Sequence, residues 1–204
     1  MSVDLKEDGG RRVRKARETR ERIFEAALGL FLKLGFDETT LDAIAEAADI
    51  SRRTFFHYYA SKEAILEVVD DSIDEAFRVA LTSASRDQTP IEAVQTALQG
   101  MIGRFSSDQA NEIDRLMHST EALRARKQAN YIRHETALFD ALCEVWPDPL
   151  CRPGLQLEAM IGIGAMRVAT NRWREAPQGR SLSAELGLAF RELQSEMGRN
   201  PACS

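Results

Sequence analysis

Apolar residues along this chain recur almost throughout at intervals of three and four, the period of one helix face, and no stretch alternates as a strand does. The clearest run is Ile23, Ala26, Ala27, Leu30, Phe31 and Leu34, halted by Gly35 in the place of a C-terminal cap. A second, short helix is predicted from Thr39 or Thr40, with Leu41, Ile44, Ala45 and Ala48 turned inward and Asp42 three residues past Thr39 for a capping interaction. Ser51 is placed to cap a third helix over 52–59, and Ser61 a fourth carrying Ile65, Val68, Val69, Ile73, Ala76 and Phe77. After a loop over 83–89, helices are expected at 90–106, 111–126 and 128–146, then at 154–175 and 182–198. Pro147-Asp148-Pro149 ends the third of these, because proline lacks an amide hydrogen and clashes inside a helix. The fold class is therefore all-α.

Charge changes this picture in one place. The chain of 204 residues carries a net charge of −5, which argues against a protein that coats nucleic acid over its whole surface. Residues 11–22 nevertheless hold Arg11, Arg12, Arg14, Lys15, Arg17, Arg20 and Arg22 against only Glu18 and Glu21. A basic patch ahead of an acidic body points to local contact with a polyanion. Residues 1–16 are expected to form a flexible basic arm and 17–77 a compact helical domain, with a second helical domain over 78–204. With 44% hydrophobic and 29% charged residues the composition is that of a globular protein. No apolar run suggests a membrane span and the first residues lack a secretory core, so the cytoplasm is the expected location and no membrane partner is expected. Cys143, Cys151 and Cys203 show no CxxC spacing, so neither a zinc site nor a disulfide framework is expected, and Cys143 with Cys151 is left as a redox pair on separation alone.

The chemistry concentrates in residues 39–66, TTLDAIAEAADISRRTFFHYYASKEAIL. A short helix, a three-residue turn and a second short helix make a helix-turn-helix, whose second helix is slim enough to enter a major groove. Phe55 and Tyr59, one turn apart, are expected to face the core, which turns Arg52, Arg53, Thr54, Phe56, His57 and Tyr58 outward. Arginine forks pair with guanine edges or phosphates, and hydroxyls bond phosphate oxygens. The first turns of the helices present free amides to phosphates, which favours Thr40 and Lys62 as backbone clamps, and Ser51 is counted with the DNA-binding residues.

Arg20 to Phe77 resembles the DNA-binding domain of the TetR family of transcriptional regulators. The resemblance rests on Gly35-Phe36, Thr39-Thr40, Ile44-Ala45, Ala48, Ser51, Thr54-Phe55, Tyr58-Tyr59 and Ser61-Lys62-Glu63. It implies that Thr40, Thr54, Tyr58 and Lys62 hold phosphates and that Arg52, Arg53 and His57 read bases. Phe56 stands where the family often has tyrosine, so a phosphate-bonding hydroxyl is missing, and the ring either meets a thymine methyl or packs. Asp49 replaces a common glycine, a mild change because aspartate tolerates left-handed backbone better than most residues.

The same resemblance implies that the C-terminal body binds an inducer and dimerises through its last two helices. Leu155, Ala159, Gly162, Met166 and Trp173 on one helix, with Leu186, Phe190 and Leu193 on the next, are the expected dimer seam, an intramolecular core being the alternative. Met101, Phe105, Met117, His118, Tyr131, His134, Phe139 and Trp146 are candidate pocket linings, although such residues at helical spacing also build plain core.

The partners expected are double-stranded operator DNA, a small-molecule effector and a second copy of the chain. No cofactor, metal or catalytic residue is expected. His57, His118 and His134 show no HExxH spacing, no GxSxG occurs, and Gly162-Ile163-Gly164 lacks the third glycine of a dinucleotide motif. The expected function is a repressor released from its operator by an inducer. The alternative is a constitutive helical DNA-binding or adaptor protein without ligand control.

Overall fold

The computed structural model describes residues 4–82, 88–103, 107–175 and 179–198, with side chains at 14–67, 71, 73–82, 88–103, 112–175 and 179–197. Among them are nine α-helices, one 3₁₀ turn and no strand. The helices are α1 (Asp4–Leu34), α2 (Leu41–Ala47), α3 (Arg52–Tyr58), α4 (Glu63–Thr82), α5 (Pro90–Ile102), α6 (Ser107–His118), α7 (Glu121–Val145), α8 (Arg152–Glu175) and α9 (Leu182–Gly198). The 3₁₀ turn is Pro149–Cys151.

Two of these differ from the sequence pattern. α1 runs back to Asp4, through the stretch expected as an arm. Arg14–Glu18 and Arg17–Glu21 pair one turn apart along it, the kind of contact that lets a polar helix persist without a buried face. The break expected near residue 127 falls instead at Ser119-Thr120. There the Thr120 hydroxyl accepts from the Leu123 amide and starts α7. Threonine ahead of Glu121 is a start signal that the continuous apolar pattern hid.

The chain forms two compact units. The first extends to Asp70 and takes in Glu112–Arg124; the second holds Asp71–Asn111 and everything from Ala125. Residues 112–124 thus belong with the N-terminal helices, although the sequence reading places them in the C-terminal body. The core of the first unit is Ile23, Ala27, Phe31, Phe36, Ile44, Ala48, Phe55, Tyr59, Ile65 and Leu66, joined by Leu116 and Leu123. Leu34, the last residue of the α1 stripe, is 48% exposed at its edge. Val68 and Val69 lie outside the described side chains.

In the second unit α8 packs against α5 and α9 around Val94, Leu98, Leu138, Leu142, Leu155, Ala159, Ile163, Leu186 and Phe190. This corrects the expected dimer seam. Leu155, Ala159, Gly162, Trp173, Leu186 and Phe190 are buried inside their own chain, and Met166 and Leu193 are half-buried. The spacing-of-four stripe faces inward because Gly162 lets Val94 of α5 approach so closely that a Cβ there would collide with it. The opposite stripe of α8 stays open to solvent: Leu157 at 61%, Met160 at 48% and Val168 at 42%, with Gly164 between them.

Candidate nucleic-acid interface

The recognition surface begins with two caps. Thr40 sits ahead of α2 in extended backbone, and its hydroxyl accepts from the Ala43 amide at 3.1 Å. The cap is therefore Thr40; Thr39 is buried and its hydroxyl donates to the Gly35 carbonyl at 2.7 Å, so its expected interaction with Asp42 gives way. Ser51 caps α3, accepting from the Thr54 amide at 3.0 Å and bonding the Thr54 hydroxyl at 2.8 Å. Between the two helices Asp49 takes φ of +50°, with Asp49 and Ile50 amides donating to Glu46 and Ala45 carbonyls. This is the left-handed C-terminal cap that a glycine ordinarily provides.

α3 is then locked from behind. Phe55 is fully buried and Tyr59 nearly so, their rings 5.9 Å apart. The Tyr59 hydroxyl donates to the Arg20 carbonyl of α1 at 3.2 Å, and the Arg20 guanidinium lies 5.3 Å from the same ring. Burial pushes the Tyr59 phenol up, against an opposing pull from Arg20. With Phe55 and Tyr59 inward, Ser51, Arg52, Arg53, Phe56 and His57 are exposed, while Thr54 and Tyr58 are half-buried. Phe56 keeps 48% of its surface in solvent, so it does not pack away. The His57 and Tyr58 rings meet edge-on at 5.1 Å.

Lys62 is engaged within the protein through its side chain. Its ammonium donates to the Phe36, Asp37 and Thr39 carbonyls at 2.6, 3.3 and 3.3 Å and sits 4.5 Å from the Phe36 ring. All three of its N–H donors have acceptors in the turn between α1 and α2, so the side chain clamps that turn. The one member of the surface that sequence reasoning missed is Asp42. It faces Arg52 across the helix-turn-helix, both carboxylate oxygens within 3.4 Å of Nη1, ten residues away along the chain.

Residues 23–69 match the family model of bacterial regulatory proteins, tetR family. The HTH-type transcriptional regulator TcmR of Streptomyces glaucescens is 38% identical over 109 residues, covering 53% of this chain and 48% of TcmR. The uncharacterised HTH-type transcriptional regulator TtgW of Pseudomonas putida is 31% identical over 99 residues, which span 48% of this chain and 74% of TtgW. The chain belongs to the TetR family. Among solved structures, Thermus thermophilus FadR, a TetR-family transcriptional repressor in complex with lauroyl-CoA, superposes with a TM-score of 0.53. It shares 28% identity over 91% of this chain and 98% of FadR. The match to TcmR, by contrast, spans about half of that relative's length.

In this TetR-family chain the described candidate effector residues divide between the two units. Met117 and His118 fall in the first unit, where His118 Nδ1 lies 2.7 Å from the Asp114 carbonyl. Met101, Tyr131, His134, Phe139 and Trp146 are part-buried around the core of the second. Phe105 lies outside the described residues. Tyr131 and Phe139 each carry an arginine over the ring, Arg167 at 4.7 Å and Arg152 at 4.9 Å. His134 Nδ1 is 2.8 Å from Asp74, which also accepts from Arg133 Nε at 2.7 Å, tying α7 to α4. An open groove of about 300 Å³ does occur in this unit, but it is lined by Asp71, Asp74, Glu75, Arg78, Arg133, Asp140 and Glu144 with two alanines, and by none of the eight.

Proposed function

We propose that this chain is a sequence-specific DNA-binding transcriptional regulator that acts as a homodimer, a repressor released from its operator by a small-molecule effector. The observation that carries the reading is α3: a helix anchored through Phe55 and Tyr59 that leaves Arg52, Arg53, Phe56 and His57 exposed on one surface. Arg53 and His57, one turn apart, are base readers beside Arg52. Thr40, Ser51, Thr54 and Tyr58 hold phosphates together with the first amides of α2 and α3. Lys62 contributes its backbone position and steadies the turn.

Two copies place two recognition helices about one DNA turn, roughly 34–36 Å, apart. The open stripe of α8, Leu157, Met160, Gly164 and Val168, supplies the surface for pairing, since it is apolar and faces away from its own core. The effector reading is supported by the lauroyl-CoA complex of the FadR relative; the effector is assigned to the second unit as part of this proposal. An effector that binds better to the form with misplaced recognition helices lowers operator affinity by that difference. No helix among the described residues is long and apolar enough to cross a membrane.

Fluorescence anisotropy against the upstream region of the chain's own gene tests this. Log affinity is expected to fall linearly with log salt, with a slope near −0.9 per phosphate contact. Replacing Arg53 and Tyr58 is expected to abolish specific binding; unchanged binding overturns the assignment.

A further inference from the structure

Resting on that DNA-reading role, we infer that Asp42 is a positioning residue for base recognition. It aims Arg52 at a guanine, and Phe56 then reads a thymine in the neighbouring pair.

The Arg52 guanidinium is held from two sides. Its Nη1 reaches both Asp42 oxygens at 3.3 and 3.4 Å, and its Cζ lies 5.9 Å from the Phe56 ring. The ion pair is well exposed, 58% for Arg52 and 72% for Asp42. A pair so screened contributes little to folding; what it determines is the direction of the fork. With Nη1 on Asp42, the Nε–Nη2 edge has no protein partner among the described residues. That edge carries two parallel donors. Guanine offers two matching acceptors in the major groove, N7 and O6, whereas adenine replaces the second with an amino donor. Arginine at the first position of α3 is where a recognition helix meets base edges.

Phe56 lies one turn further along the same face and is half exposed. Its ring has no group to bond phosphate or a base edge, so the discrimination open to it is apolar contact with the thymine methyl. Asp42 by itself is unfavourable near a polyanion. Paired to Arg52, its charge is offset where the two helices approach DNA, and the same contact keeps the guanidinium from swinging to a phosphate.

Selection of the full chain against a random duplex pool gives the starting site, and anisotropy at fixed salt then compares single-base replacements. A guanine beside a thymine is expected in each half-site. Changing that guanine to adenine is expected to weaken wild-type binding about 10- to 100-fold, and 7-deazaguanine to weaken it in the same direction. R52A removes this preference, because no donor then faces the two guanine acceptors. D42N reduces the guanine preference several-fold, read as the ratio of affinities for the guanine and adenine duplexes. F56A abolishes the difference between thymine and deoxyuridine, which lacks the methyl group. A D42N protein that binds every duplex more tightly by one common factor, with base preferences intact, shows Asp42 to act by charge alone and overturns the inference. Sites without the guanine–thymine step overturn it too. If the wild type retains no duplex at all, the DNA-reading role itself falls.

Discussion

At Asp49 the backbone turns through φ of +50° between the two helices of the DNA-reading motif. An L-residue in this region costs about 1–2 kcal/mol, less for aspartate, whose short side chain tolerates it. Asp49→Val is therefore expected to lower stability by about 1–2 kcal/mol in urea titration, while Asp49→Gly holds it. Glu158 shows a different residue-scale tension. One of its carboxylate oxygens is buried without a hydrogen-bond partner, and burial raises its pKa above the ordinary 4.5. The folded chain then binds this proton more tightly than the unfolded chain, so the contribution of Glu158 to stability declines as pH climbs from about 4.5 through the raised value. Glu158→Leu removes both the charge and the orphan oxygen. Its unfolding midpoint at neutral pH is expected to exceed that of the wild type, and the gap to close below pH 4.5; a wider gap in acid contradicts the assignment.

Among the elements, α3 depends on tertiary support most directly. A helix of seven residues has too few internal bonds to persist alone, so the burial of Phe55 and Tyr59 sets its orientation. Phe55→Ala is expected to cost about 3–5 kcal/mol, a large share of the stability of a single domain, and to remove DNA binding with it. Tyr59→Phe keeps the packing and loses only the bond to the Arg20 carbonyl, about 0.5–1.5 kcal/mol. Thermal unfolding of the two variants separates the contributions. The start and end of α2 and α3 were legible in the sequence because caps are local: Thr40, Ser51 and Asp49 act on amides and carbonyls within a few residues. The pairing of Asp42 with Arg52 was not, because it joins two helices across a turn and carries no spacing signal. Lys62 carries no such signal either. Its three carbonyl partners lie 23 to 26 residues earlier in the chain.

For the whole molecule, the two faces of α8 give opposite expectations. Leu155→Asp places a charge in the core of the second unit and is expected to prevent folding. Met160→Asp alters only the open stripe. It is expected to leave the melting of the second unit intact while sedimentation shifts from dimer to monomer, with affinity for a two-half-site operator falling toward that for one half-site. A Met160→Asp protein that stays dimeric moves the pairing surface elsewhere.

Sequence alone determined that the chain is all helical, where the helix-turn-helix lies, and which side of α3 is presented. Each of these is written in a repeat of three or four residues or in a cap, and both are local. Tertiary structure decided which apolar stripe of α8 is interior, because a helix that is apolar on several faces leaves the choice to its neighbours, and the close approach of Val94 to Gly162 settles it. It also decided that Asp42 steers Arg52 and that Lys62 clamps a turn, since long side chains take their partners from whatever the fold brings within a few ångströms.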